Sequence, residues 1–251
     1  MLTGISLPGL SYEWQKNIDG YPRARPVDRR RAAGGQDLSC GRRAGHGQDR
    51  VWFAVFGKRA HGKGKGLYVA IDEKPADVIE QAASLGWDLA PFIESREFLI
   101  LDASAYLNTR ANDGANKGVD VERVVTDLRN YITRMGASRV VIDPVGSLLF
   151  SHDATSRALD QARMLFYGLQ ANMCTTNLLT TYSIERDARG IEEYLVSGTF
   201  VLAMELANSR YVRKLSIEKM RSTALAPAQY VFNIVQNRGI VLHGVGETAA
   251  G

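Results

Sequence analysis

Cysteine is scarce in this chain of 251 residues. Only Cys40 and Cys174 are present, which excludes a disulfide framework and a cysteine-based zinc site and fits a reducing compartment. No apolar run approaches the roughly 20 residues that a helix needs to cross a bilayer. The opening MLTGISLPGL lacks the charged region and long apolar core of a signal peptide, so a cytoplasmic, membrane-free protein is expected. Histidine is rare too, and His152 stands alone, which reads as structural or exposed.

Evenly spread positive charge is also missing. Net charge is +4, yet residues 22–64 hold 11 Lys+Arg against 3 Asp+Glu, a net of +8. The rest holds 20 against 24, a net of −4. A nucleic-acid-binding face needs basic residues gathered on the folded surface. Here they gather in one glycine-rich stretch with no helical or strand period, so the charge argues against nucleic acid.

From residue 66 the chain alternates strands and helices, the mark of a parallel α/β sheet. LYVAI (67–71) reads as a buried strand. The next helix has Val78, Ile79, Ala82, Ala83 and Leu85 on one side and stops at Gly86. FLILDAS (98–104) is a strand and NTRANDGANKG (108–118) a loop. An amphipathic helix over 119–136 turns Val121, Val124, Leu128, Tyr131 and Ile132 inward. RVVIDPVGSLLF (139–150) carries a strand ending on an acid, residues 154–172 a helix, and NLLTTYS (177–183) a strand. TFVLAMEL, YVRKLSIEKM, QYVFNIVQ and GIVLH follow at hairpin spacing. The expectation is a single domain over 1–251, a mainly parallel sheet flanked by helices and finished by an antiparallel β region. No repeat of solenoid or propeller length is present.

Three stretches together resemble the KaiC-like branch of the RecA-type P-loop ATPases. They are LYVAIDEKPADVIEQAASLGWDL (67–89), the Walker-B-like RVVIDPVGSLL (139–149) and LSIEKMRST (215–223). TGI (3–5) and GYPRAR (20–25) are similar to the family's opening. The resemblance implies a RecA-like core, ATP and Mg²⁺ as cofactors, and a homo-oligomer, a hexameric ring in that family. It further implies ATP hydrolysis, serine/threonine kinase activity, a circadian-clock setting and a signalling partner protein.

The family's phosphate loop, G-x-x-x-x-G-K-[ST], is absent. Its backbone N–H groups cradle phosphates, its lysine neutralises them and its hydroxyl holds magnesium. GKRAHGKG (57–64) comes nearest, but it ends on glycine and runs straight into LYVAI, leaving no helix to hold a phosphate. The genetic code offers another account. Read one base later, codons for Arg42–Asp49 permit G-x-P-G-T-G-K-T. Those for Asp37–Cys40 permit the apolar T-L-L-V before it, and RVWFAVF (50–56) permits V-F-G-L-Q-F-L after it. Residues 26–62 are therefore expected to be an out-of-frame, poorly ordered translation, with the proper frame resuming near Gly62–Gly66. The plainer alternative is an authentic basic insertion.

The resemblance assigns roles to the residues that remain. Glu73 becomes the base that activates the attacking water, with Asp72 as its helper. Without the family, both read as acids at a helix N-terminus, with Pro75 opening the helix. Asp143 would hold a magnesium-bound water, or else is a turn acid before Pro144. Lys219 and Arg221 alternate along a strand, so they share a side, and the family sends such residues to the neighbouring subunit's nucleotide. The plain reading is an exposed edge with ordinary cations. Thr223 would contact phosphate or ribose. Thr180 and Thr181 are candidate sensors of the γ-phosphate, or simply strand-end threonines. Glu192 and Glu193 read as solvated, and Trp87 as core.

Two other functions compete. A RecA/RadA-like recombination ATPase would need basic loops after Asp143, but residues 151–163 are mixed in charge. A non-catalytic regulatory module gains if the chain exists as it stands, because Gln48 and Asp49 occupy the places of the lysine and the hydroxyl.

Overall fold

The computed structural model describes residues 2–3, 36–42, 64–108, 119–149, 155–171, 175–182, 192–207, 209–224 and 228–245. GYPRAR, residues 43–63, nearly all of the 108–118 loop and His152 lie outside the described residues, as do the side chains of Glu192 and Glu193. The elements in chain order are β1 (Leu2–Thr3), β2 (Gln36–Arg42), β3 (Lys65–Ala70), α1 (Pro75–Ser84), α2 (Ala90–Glu94), β4 (Phe98–Asp102), α3 (Ser104–Asn108), α4 (Val121–Met135), β5 (Ala137–Asp143) and α5 (Gly146–Leu149). They continue with α6 (Thr155–Gln170), β6 (Thr176–Tyr182), α7 (Glu192–Leu195), β7 (Gly198–Ala207), β8 (Arg210–Met220), β9 (Gln229–Val235) and β10 (Gly239–Val245).

All ten strands join one sheet. Strands β4, β3, β5, β6, β2 and β7 lie side by side and parallel, and β7, β8, β9 and β10 continue the same sheet as antiparallel neighbours. The two-residue β1 touches β2, β6 and β7 antiparallel. The expected architecture is therefore present, with the antiparallel region fused to the parallel core.

Because side chains alternate across a strand, β3 feeds two cores. Leu67, Val69 and Ile71 join the cluster under α4 and α6, where Leu128, Leu165 and Phe166 are fully covered. Tyr68 and Ala70 join the opposite cluster, roofed by Val78 and Ala82 of α1 and continuous with Phe200, Leu215 and Phe232 of the antiparallel strands. Helix α4 is well delimited. Asp120 caps its first turn by accepting from the Arg123 N–H at 3.0 Å, and Gly136 closes it in the left-handed conformation at φ 68°.

The buried stripe of each amphipathic helix differs from the one its spacing predicts. In α1 the buried residues are Val78 and Ala82, while Ile79 and Ala83 face outward. In α4, Val125 is buried and Tyr131 is 39% exposed. The buried positions follow the i, i+3, i+4, i+7 row that faces a sheet, and Ile79, Ala83 and Tyr131 lie beside that row.

β2 lies inside the basic, glycine-rich stretch, where QDLSCGR carries no strand period. It takes a central place between β6 and β7. Gly64 directly precedes β3, so no helix follows GKRAHGKG.

Candidate active site

Asp72, Glu73 and Asp143 lie at the carboxyl ends of the paired strands β3 and β5, where parallel sheets bind their ligands. Ala70 and Asp143 are register partners, and the Ile71 N–H donates to the Asp143 carbonyl at 3.0 Å. Asp72 and Glu73 therefore leave β3 immediately beside Asp143. Ser147, on the short α5 that follows Asp143, donates its hydroxyl to Asp72 Oδ2 at 2.9 Å. Gln81, two turns into α1, donates from Nε2 to Glu73 Oε2 at 2.9 Å. Each acid thus has one carboxylate oxygen held by a neighbouring side chain.

Asp143 is the deepest of the three, only 8% exposed. Its burial is matched by hydroxyls from both flanking strands. Tyr68 of β3 donates to Oδ2 at 2.6 Å, and Thr180 of β6 donates to Oδ1. The Val145 N–H donates to the Thr180 carbonyl at 2.8 Å and ties the turn after Asp143 to β6. Thr180 is thus buried against the acid within β6, which runs on to Tyr182, and Thr181 is buried as well.

Lys219, Arg221 and Thr223 lie elsewhere. Lys219 pairs with Thr199 at the start of β7, and Arg221 occupies the turn just beyond β8. The two cations do share a side. Lys219 Nζ and Arg221 Nη2 both donate to the Tyr194 carbonyl, at 3.4 and 3.0 Å. The Thr223 hydroxyl points back to the Arg221 carbonyl at 3.5 Å. From β5 the sheet runs through β6, β2 and β7 to β8. Lys219 and Arg221 thus sit four strands along the sheet from the strand that ends on Asp143.

Trp87 is half-buried and packs on the core beneath α1. Its neighbour Gly86 has φ 86°, and a Cβ there would come within 2.1 Å of Asn237 Oδ1 in the β9–β10 turn. The Asn237 N–H donates to the Leu85 carbonyl at 2.8 Å. Glycine is required because the hairpin closes directly over the end of α1.

A family model described as "ATPase: KaiC" matches residues 52–247. The chain belongs to the KaiC ATPase family. Over 185 residues it is 32% identical to the circadian clock oscillator protein KaiC of Synechococcus elongatus and 29% identical to that of Thermostichus vulcanus. Each alignment covers 72% of this chain and 35% of the relative, so the chain spans about a third of the length of these proteins. A KaiC-like protein from the archaeon Pyrococcus horikoshii OT3 shares the fold, with a TM-score of 0.68 and 24% identity over 84% of this chain and 90% of that one. No helix among the described residues is long and apolar enough to cross a membrane.

ATP and a divalent metal are the ligands that this family implies in general. The acidic side of the site fits the metal. Asp143 is a carboxylate at the end of a parallel strand, beside the acids that follow β3, and carboxylate oxygen is what a magnesium-bound water is held by. For the phosphate side, the sequence as it stands contains no G-x-x-x-x-G-K-[ST]. Tyr68, Ser147 and Gln81 were not expected from the sequence. The only signal for Tyr68 is a phenol inside an apolar strand, since a buried hydroxyl needs a partner.

Proposed function

We infer that this chain carries the hydrolytic half of a KaiC-family ATPase domain, and that its phosphate-binding half is encoded one base out of frame. The observation that carries the reading is the place of Asp72, Glu73 and Asp143 at the carboxyl ends of two paired parallel strands, with Ser147 after Asp143 reaching Asp72. β2 supports the frame argument. It runs parallel between β6 and β7 and ends at Arg42, so the shifted G-x-P-G-T-G-K-T would begin where the chain leaves the sheet.

In the restored chain, Glu73 orients the attacking water and draws off its proton as the bond to the γ-phosphorus forms and the bond from that phosphorus to the departing ADP oxygen breaks. Gln81 fixes the Glu73 carboxylate, and Asp72, held by Ser147, keeps negative charge beside it. Asp143 would hold a water of the metal's shell, and magnesium, when bound, would neutralise charge on the phosphates.

The place of Lys219 and Arg221, at the end of an antiparallel strand four strands along the sheet from β5, supports their service to a neighbouring subunit in a ring. Hexamer formation, a clock or signalling partner, and serine/threonine kinase activity rest on family likeness, and no phospho-acceptor is evident. The non-catalytic reading is favoured by Gln48 and Asp49 for the chain as it stands.

Two experiments test the proposal. The coding DNA across residues 20–66, read one base later, should give a phosphate loop over positions 42–49 that ends in Gly-Lys-Thr, and Met at position 46 with Arg at position 48 would sink the frame argument. The restored protein should then hydrolyse ATP slowly, and a restored protein that folds and binds ATP but never turns it over would refute the roles of the acids.

A further inference from the structure

Sheet geometry sets up the relation between Tyr68 and Asp143. The register puts Asp143 beside Ala70 of β3 and next after the Ile142–Leu179 pair with β6. Thr180 is therefore its direct neighbour on one side. On the other side stands Ala70, which offers only a methyl group. Tyr68, two residues earlier and on the same face, spans that gap with its ring and delivers a hydroxyl to Oδ2. Tyr68 is only 2% exposed and Thr180 only 1%.

Core packing explains the ring of Tyr68 and leaves the hydroxyl unexplained. A phenylalanine would fill the same space beside Val78 and Ala82 without burying a polar group. The hydroxyl instead meets an acid that is itself nearly buried. Two donors, one per oxygen and one from each flanking strand, fix the plane of a carboxylate that could otherwise rotate about its terminal torsion.

We propose that Tyr68 is a positioning residue for the metal side of this site, clamping the Asp143 carboxylate together with Thr180 so that it presents a fixed acceptor edge to a metal-bound water. The inference rests on the ATPase reading. Groups that orient a metal's immediate partners typically change metal affinity by about 10- to 100-fold when removed.

The test uses the frame-restored full chain with Mn²⁺ as the probe, followed by electron paramagnetic resonance in the presence of a non-hydrolysable ATP analogue. Tyr68→Phe should weaken Mn²⁺ binding about tenfold while leaving analogue affinity in EDTA unchanged. It should cause no further loss in an Asp143→Asn background, where the carboxylate to be held is gone. Mn²⁺ affinity within twofold of the parent, or an equal loss in both backgrounds, overturns the proposal. If Tyr68→Phe does not fold, Thr180→Val and Thr180→Ser replace it. Valine should show the loss and serine should restore binding, and equal affinities in the two overturn the clamp. A restored parent that binds no nucleotide overturns the ATPase reading and takes this inference with it. Normal nucleotide binding by the parent with an unmoved Mn²⁺ affinity overturns the inference alone.

Discussion

Gly86 and Asn237 lie against each other although 150 residues separate them in sequence: a single methyl on Gly86 would stand 2.1 Å from the Asn237 side chain. The contact joins the end of α1, the helix that follows Asp72 and Glu73, to the β9–β10 hairpin at the far edge of the sheet. The family's G-W-D stretch is thus a docking point between the two halves of the domain.

Gly86→Ala should therefore destabilise the full chain by about 1–3 kcal/mol, through the clash and through the cost of φ 86° for alanine. Denaturant unfolding reads the loss. Adding Asn237→Gly should recover the part due to the clash and leave the part due to backbone conformation. Full recovery would show that the backbone conformation is unstrained.

Glu73 and Asp72 should respond unequally in the restored protein. Glu73→Gln should lower kcat by about 10²-fold or more, as loss of a general base does, with little change in ATP affinity. Asp72→Asn should cost less. Gln81→Ala should fall between the parent and Glu73→Gln, because it frees the base without removing it. Single-turnover hydrolysis separates the three, and a larger loss at Asp72 would exchange the two roles.

Lys219 and Arg221 should act across a subunit boundary. Arg221→Ala should abolish turnover in the restored protein while leaving the subunit folded, with a loss on the order of 10³-fold, as for an arginine finger. Mixing it with Glu73→Gln subunits should recover some activity, since some interfaces then pair an intact acid with an intact arginine. Mixed assemblies that form and stay inactive would refute the shared site, as would monomers that turn over at the full rate.

Tyr106 gives the fold a measurable alkaline edge. Burial, and then the Asp127 carboxylate that accepts its hydroxyl at 2.7 Å, hold its phenol well above the usual range. The native state favours the neutral phenol, so this contribution to stability is complete below about pH 10 and is lost as pH rises from there through the raised native value. Stability measured from pH 9 upward should fall more steeply for the parent than for Tyr106→Phe. Parallel curves would show that the contact contributes nothing.

Much of the fold was legible because strand and helix periods leave clear marks. RVVID ends on an acid at the carboxyl edge, and the last four strands announce themselves at hairpin spacing. The pairing of Lys219 with Arg221 followed from their alternate positions, and both do reach the Tyr194 carbonyl. Other features left no local trace. Tyr68 in LYVAI looks like any buried aromatic, and its partner lies 75 residues away. Ser147 and Gln81 are single polar residues on helices, and only the folded sheet shows which acids they face. Ile79 and Tyr131 were assigned inward because an amphipathic stripe can be drawn too wide. QDLSCGR shows no strand pattern, yet the sheet has a central place for it.

The measurement that bears most directly on the account is calorimetric titration of ATP–Mg²⁺ into two proteins, the chain as it stands and the same chain with residues 42–56 restored to the shifted reading. The restored protein should bind ATP, because lysine and threonine then stand at positions 48 and 49. The chain as it stands should bind weakly or not at all. Micromolar affinity in the chain as it stands would contradict the account, since its Gln48 and Asp49 would then be no obstacle to holding phosphate.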